Sequence, residues 1–431
     1  MTLAVIVVCI CAIIACTLDT SKPPSLLPSV TPRPTRLPSI QSTPTALPPV
    51  NPTPIGGPIS VASPLPTPAL STLAISPSNV DRITETLRLS EPEPSNLGVS
   101  GLAFTRDGQW LVSAWDRLSI WQMPTGEHIR SLPIHSGGWT PIALSPDGQW
   151  VAVGNYEQLG WVELWNLKTG QRVRQHQGGD QVVAVGFNAA GTLLAAGRTD
   201  GSVTVWQVTT GDLLAKLPNA GGSGCHGMAF HPERDEIAAA GRNNTIRIWD
   251  AASGQVTREL VMPNPPASCE LSYVAYRPDG KLLAAAMFGK QRIALWEGDA
   301  FVGDLTHPNS GTIWKIAWSP DGQLLAASEN GGPKGRQIVL WDVQNRRVAR
   351  VLDEWGGEAT FSADGAMLVV EGIDSSNNKL TVTLRVLAYP TLSLPVGKVH
   401  RLRTRLADEK CHPSHWGKAV NVAKLGLGSS L

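Results

Sequence analysis

Residues Trp318–Ser328 read WSPDGQLLAAS: an aromatic, a tight-turn sequence, then a short apolar run ending in small residues. The chain repeats this sentence. Leu144–Gly154 is LSPDGQWVAVG, Tyr276–Ala286 is YRPDGKLLAAA and Phe104–Ala114 is FTRDGQWLVSA. Looser copies begin at Phe187 (FNAAGTLLAAG), Phe230 (FHPERDEIAAA) and Phe361 (FSADGAMLVVE), so successive copies start roughly 40 to 46 residues apart, a period that signals a repeat architecture. In Ser-Pro-Asp-Gly the Pro presets φ at the second turn position and Gly closes the turn, which suits a hairpin between two strands.

A third strand follows each copy: LSIWQ from Leu118, VELWN from Val162, VTVWQ from Val203, IRIWD from Ile246, IALWE from Ile293 and IVLWD from Ile338. Each alternates apolar and polar residues as a half-buried strand does. In the seventh copy, LRVLA from Leu384, Leu387 stands where the others have Trp, which predicts looser packing there. Thr-Gly or Ser-Gly turns at Thr125, Thr169, Thr210 and Ser253 then introduce a fourth strand. Four antiparallel strands per period make one blade, and radial repetition protects the sheet edges. The reading is an all-β, seven-bladed propeller over residues 83–397.

These residues resemble WD-repeat (WD40-type) β-propellers, most specifically in the Trp-Asp pairs Trp249-Asp250 and Trp341-Asp342. The Gly-His dipeptide typical of that family is missing, and most copies replace the Asp with Gln, Asn or Glu. The histidine networks of eukaryotic members are therefore not expected. Immediately before each aromatic, or Leu144, stands a small residue: Ala103, Ala143, Gly186, Ala229, Ala275, Ala317 and Thr360. Alternation turns this neighbour to the opposite face of the strand, where an innermost strand crowded about the axis admits only small side chains. For closure, Thr84–Leu89 and Thr391–Val396 compete for the outer edge of the last blade.

Upstream lies a different composition. Leu3–Ala15, LAVIVVCICAIIA, is too short to span a bilayer of about 30 Å and suits the core of a secretory signal, although no Lys or Arg precedes it. It ends in Ile13-Ile14-Ala15-Cys16, which resembles the lipobox of bacterial lipoproteins; the resemblance implies a signal peptide over 1–15 and lipid attachment at Cys16. Residues 16–82 form a Pro/Ser/Thr-rich linker; from Thr17 to Asn79 the only charges are Asp19, Lys22, Arg33 and Arg36. Such a stretch cannot pack a core, and polyproline II at about 3.1 Å per residue makes it a disordered stalk.

The net charge of +1 gives no field to gather nucleic acid. Metalloprotease, P-loop, nucleophile-elbow and EF-hand spacings are absent, and no catalytic residue, metal or cofactor is assigned. Counting back by two from the small residues gives the next channel-facing positions: Gly101, Pro141, Ala184, Gly227, Tyr273, Lys315 and Glu358. The first four are inert and the last three form one polar sector, read foremost as a Lys315–Glu358 ion pair plugging the channel, since buried charges tend to be paired. Loops leading into the first strands carry Trp139, Cys225, His226, Cys269, Glu270 and Trp355, with Trp139, Trp355, His226 and Glu270 as candidate binding residues. By parity with Ile316 and Trp318, Trp314 belongs to the core. Export would permit a Cys225–Cys269 disulfide. The tail over 398–431, with RLRTR and CHPSH, reads as solvated and disordered.

The functional expectation is a noncatalytic platform for an unidentified protein or peptide partner, anchored outside a bacterial cytoplasmic membrane through lipid. The alternatives are an enzyme or small-ligand receptor using the channel sector, and a structural envelope protein. Oligomeric state is left open.

Overall fold

The computed structural model describes residues 73–389, apart from 91–98, 115, 135–138, 157–159, 219–224, 242, 266–269, 290–291, 308–310, 333–334, 354 and 375–380. Residues 1–72 and 390–431, which hold the expected signal peptide, most of the expected stalk and the tail, lie outside the described residues. Seven four-stranded antiparallel sheets follow one another along the chain. Their inner strands are Gly101–Phe104 in blade 1, Ile142–Leu144 in blade 2, Val182–Phe187 in blade 3, Cys225–Phe230 in blade 4, Glu270–Tyr276 in blade 5, Thr312–Trp318 in blade 6 and Trp355–Phe361 in blade 7.

Closure is made by the N-terminal strand. Thr84–Leu89 pairs antiparallel with Thr381–Ala388 as the outer strand of blade 7, from Thr84 opposite Ala388 to Leu89 opposite Leu384. The segment before it is pinned to the ring: Ile75, Val80 and Ile83 are buried, and Nη1 of Arg350 donates to the carbonyls of Val80 and Ile83 at 2.8 Å each. Thr391–Val396, the competing candidate, lies outside the described residues.

The core is divided among the blade interfaces. Seven apolar clusters each join two neighbouring blades, and one of them joins blade 7 to blade 1. Third-strand tryptophans supply the bulk: Trp121, Trp206, Trp249, Trp296 and Trp341 are at most 5% exposed and Trp165 is 7%. Burial of a side chain this large contributes about 2 to 3 kcal/mol. Leu387, in the Trp position of blade 7, is 1% exposed, level with Trp296 and Trp341, so the substitution itself brings no loss of burial there.

The repeated turn is self-satisfied. In blade 6, Ser319 Oγ donates to Asp321 at 2.6 Å and accepts from the N–H of Leu324 at 2.9 Å, while Asp321 accepts from the N–H of Gln323 at 3.0 Å. Gly322 sits at φ +68°, where a Cβ would be strained. Blade 2 uses Ser145 and Asp147 and blade 7 uses Ser362 and Asp364 in the same way. In these three blades the turn thus fixes the start of the second strand through its own Ser and Asp.

Crowding about the axis is local. A Cβ added at Gly101 would lie 2.8 Å from the Thr140 carbonyl, and one at Gly227 would lie 2.8 Å from Cα of Tyr273. At Gly186 an added Cβ would make only ordinary contact, 3.4 Å from Met228. The tightest squeeze therefore falls two residues ahead of the small-residue row in blades 1 and 4. Histidines touch tryptophans through their rings: His176 stacks on Trp206 at 4.8 Å, and His128 meets Trp121 edge-on at 5.0 Å.

Candidate functional site at the mouth of the channel

The inner strands of blades 3 to 7 each carry a register shift near their starts, for example between Val182 and Ala184 and between Ile313 and Lys315. A bulge re-aims the side chains that precede it. This overturns the parity argument for Trp314, which is 38% exposed instead of buried, and whose ring meets Phe288 edge-on at 5.7 Å. Trp139 stands half-buried where the chain comes into blade 2, its ring 6.5 Å from that of Tyr273. Tyr156, Val183 and Ser272 join these four aromatic residues around a cavity of about 270 Å³.

A second cavity, of about 250 Å³, lies among blades 6, 7 and 1, with Trp139 reaching it from blade 2. Lys315 and Glu358 meet in its wall as a hydrogen-bonded ion pair, with Glu358 almost wholly buried and Lys315 retaining 30% of its side-chain exposure. Burial pushes the Glu358 carboxyl up, and the Lys315 ammonium pulls against that. A third, smaller cavity is lined by Pro141, Ala184, Gly227, Tyr273 and Lys315 among others, so five of the seven positions found by counting back share one space.

Sequence reading put all the channel chemistry on the inner strands. The second strands add to it: Glu329 from blade 6 and Glu371 from blade 7 both line the larger cavity and are each 1% exposed. Glu329 accepts a hydrogen bond from Gln337 Nε2 at 2.9 Å. Glu371 Oε1 accepts from the backbone N–H of Val99 at 3.1 Å, and Nη1 of the half-exposed Arg336 stands 4.0 Å away. Burial pushes the Glu371 carboxyl up to about 7 against the opposing pull of Arg336 and the Val99 N–H. Beside it, Gly357 has φ +123°, and a Cβ there would overlap Oε2 of Glu371. The clue to Glu371 was present in the sequence, as a carboxylate inside the apolar run LVVEGI; for Trp314 the bulge left no such clue.

Of the other anticipated residues, Glu270 is half-buried and pairs with Phe288 in the strand register. Cys225, His226, Glu270 and Trp355, read as loop residues, belong to inner strands, because pairing with the second strand continues to Cys225–Gly241 and Trp355–Gly372. The side chains of Cys225, His226 and Trp355, and all of Cys16 and Cys269, lie outside the described residues, and so does the Cys225–Cys269 bridge. Among the described residues no three His, Cys, Asp or Glu side chains are grouped to hold a metal ion. Among the described residues, the lining of the acidic cavity holds serines but no histidine or cysteine. Its chemistry is that of charge and aromatic surface.

The family model described as WD domain, G-beta repeat matches residues 168–207, 211–250 and 300–342. Each matched stretch runs through the outer strand of one blade and on to the third strand of the next, so the sequence repeat is offset by one strand from the sheet. The chain is 28% identical to the Periodic tryptophan protein 2 homolog of Mus musculus over 47% of this chain and 26% of that protein. It is 24% identical to the Dictyostelium discoideum homolog of the same name over 60% of this chain and 28% of that one. It is 28% identical to Small ribosomal subunit protein RACK1y of Oryza sativa subsp. japonica over 39% of this chain and 50% of the relative. The chain thus spans half or less of the length of these relatives. The sheets make a seven-bladed propeller, and three of its repeats match the WD40 model.

Proposed function

We propose that this propeller is a noncatalytic platform for a protein partner, held outside a bacterial cytoplasmic membrane by a Pro-rich stalk and a lipid at Cys16. The observation that carries the platform reading is the aromatic mouth: Trp139, Tyr156, Tyr273, Phe288 and Trp314 gather at one end of the ring, in a chain with only four Tyr and six Phe. Large, rigid aromatic surface at a concave site is what partner recognition uses. A relative named as a small ribosomal subunit protein is named for an assembly, which supports the same reading. The anchor rests on the Ile13–Cys16 motif and the stalk that follows it.

Membrane fractionation with intact-mass analysis tests the setting. The Cys16→Ala chain should be released or remain as an unprocessed precursor, because stable anchoring needs acyl chains in the bilayer. A membrane-bound, unlipidated wild-type protein would end that part of the proposal without touching the platform. The rival, a channel enzyme, has the raised Glu371 carboxyl in its favour; among the described lining residues no nucleophile is paired with a base.

A further inference from the structure

The aromatic mouth is an uncharged surface. Among the described residues its cavity of about 270 Å³ is lined by five aromatic side chains with Val183 and Ser272, and none of these residues carries a charge. Trp314 keeps 38% of its surface exposed. Flat aromatic faces of this kind suit proline rings. A polyproline II strand is already extended before it binds, so docking costs it little conformational entropy, and its rings lie against indole and phenol faces. The N–H and O–H groups of Trp and Tyr match the unpaired carbonyls of such a strand.

The chain carries that chemistry itself. Pro44–Pro54, PTALPPVNPTP, belongs to the Pro-rich linker outside the described residues and is as free of charge as the cavity lining. Where the linker joins the ring is fixed: the N–H of Ile75 donates to the carbonyl of Gly365 at 2.8 Å, beside the hairpin turn that follows the inner strand of blade 7. The mouth lies at the other ends of the inner strands, where Trp139 and Trp314 stand. At about 3.1 Å per residue, residues 55–72 can bridge roughly 55 Å, well beyond the radius of gyration of about 20 Å expected for a ring of this length. We propose that the Pro44–Pro54 segment of one copy docks in the aromatic mouth of a second copy. The contact joins two different surfaces, so each pair keeps one mouth and one segment open to a further copy. The inference rests on the platform reading and names the partner at the mouth.

Co-purification of two differently tagged full chains in non-ionic detergent tests it. Wild-type copies should recover one another. Trp139→Ala/Trp314→Ala chains, and separately Pro48→Ala/Pro49→Ala/Pro52→Ala chains, should recover their own kind about tenfold less well. Mixing the two variants should restore recovery, because one brings an intact segment and the other an intact mouth. Should the mouth variant fail to fold, the proline variant leaves the ring untouched and its loss of self-recovery carries the test, together with displacement of wild-type copies from one another by a Pro44–Pro54 peptide. The proposal is overturned if wild-type copies do not recover one another, if the proline variant recovers itself as well as the wild type does, or if the two folded variants do not recover each other. Wild-type copies that stay apart, with a different captured protein lost from the mouth variant, would overturn this inference and leave the platform reading standing.

Discussion

At one and the same position of the inner strand, blades 1 to 4 carry Gly101, Pro141, Ala184 and Gly227, while blades 5 to 7 carry Tyr273, Lys315 and Glu358. The backbone slot is repeated; the chemistry is not. In the first group the neighbouring blade dictates size, as at Gly227, where a Cβ would press on Cα of Tyr273. In the second group the side chains meet one another and a cavity, and two second-strand glutamates join them. Steric necessity explains Gly101 and Gly227, whereas the second group is polar and costs free energy to bury.

The largest effect should come from Gly357→Ala. The new Cβ would meet both a positive-φ backbone and the Glu371 carboxylate, for a loss of about 4 kcal/mol in thermal or urea unfolding. A neutral result would mean that the acidic floor is not held where it stands.

Next is the pH dependence of Glu371. Its folded carboxyl titrates at about 7, above the ordinary 4.5, so the folded state favours the protonated form. The stability this contributes is fully present below pH 4.5 and is lost as pH rises through about 7. Comparing urea unfolding of the wild type with Glu371→Gln across this window should reveal a difference that grows by up to about 3 kcal/mol. Parallel curves would place the carboxylate in water and remove the contrast between the two halves.

Gly227→Ala, on the inert side, should cost about 2 kcal/mol through overpacking against blade 5. A smaller effect is expected from the ion pair. Lys315 keeps 30% exposure and can reach water when its partner is lost, so Glu358→Gln and Lys315→Met should couple by only about 1 kcal/mol in a double-mutant cycle. Strong coupling would make the pair the structural plug of the channel.

The repeat and the strand order within a blade were legible in the sequence because each arises from local rules: a turn that satisfies itself and alternation along a strand. Closure was not, since Thr84–Leu89 and Thr391–Val396 satisfy the same local rule and only pairing with Thr381–Ala388 separates them. Of the site, counting by two located Tyr273, Lys315 and Glu358 at the cavities. It failed for Trp314, where the register shift after Ile313 breaks the alternation. It also passed over Glu329 and Glu371, which reach the same cavity from second strands.

We propose that the aromatic mouth over the polar sector is where this propeller meets its partner. Cross-linked capture in the cell of origin can compare Trp139→Ala/Trp314→Ala with Leu213→Ala/Leu214→Ala, the latter on the outer strand of blade 3 with both leucines more than 40% exposed. With melts of both variants matched to the wild type, the mouth variant should lose the partner recovered with the wild type, and the outer-strand variant should retain it. Retention by the mouth variant together with loss by the outer-strand variant would place partner contact away from the mouth.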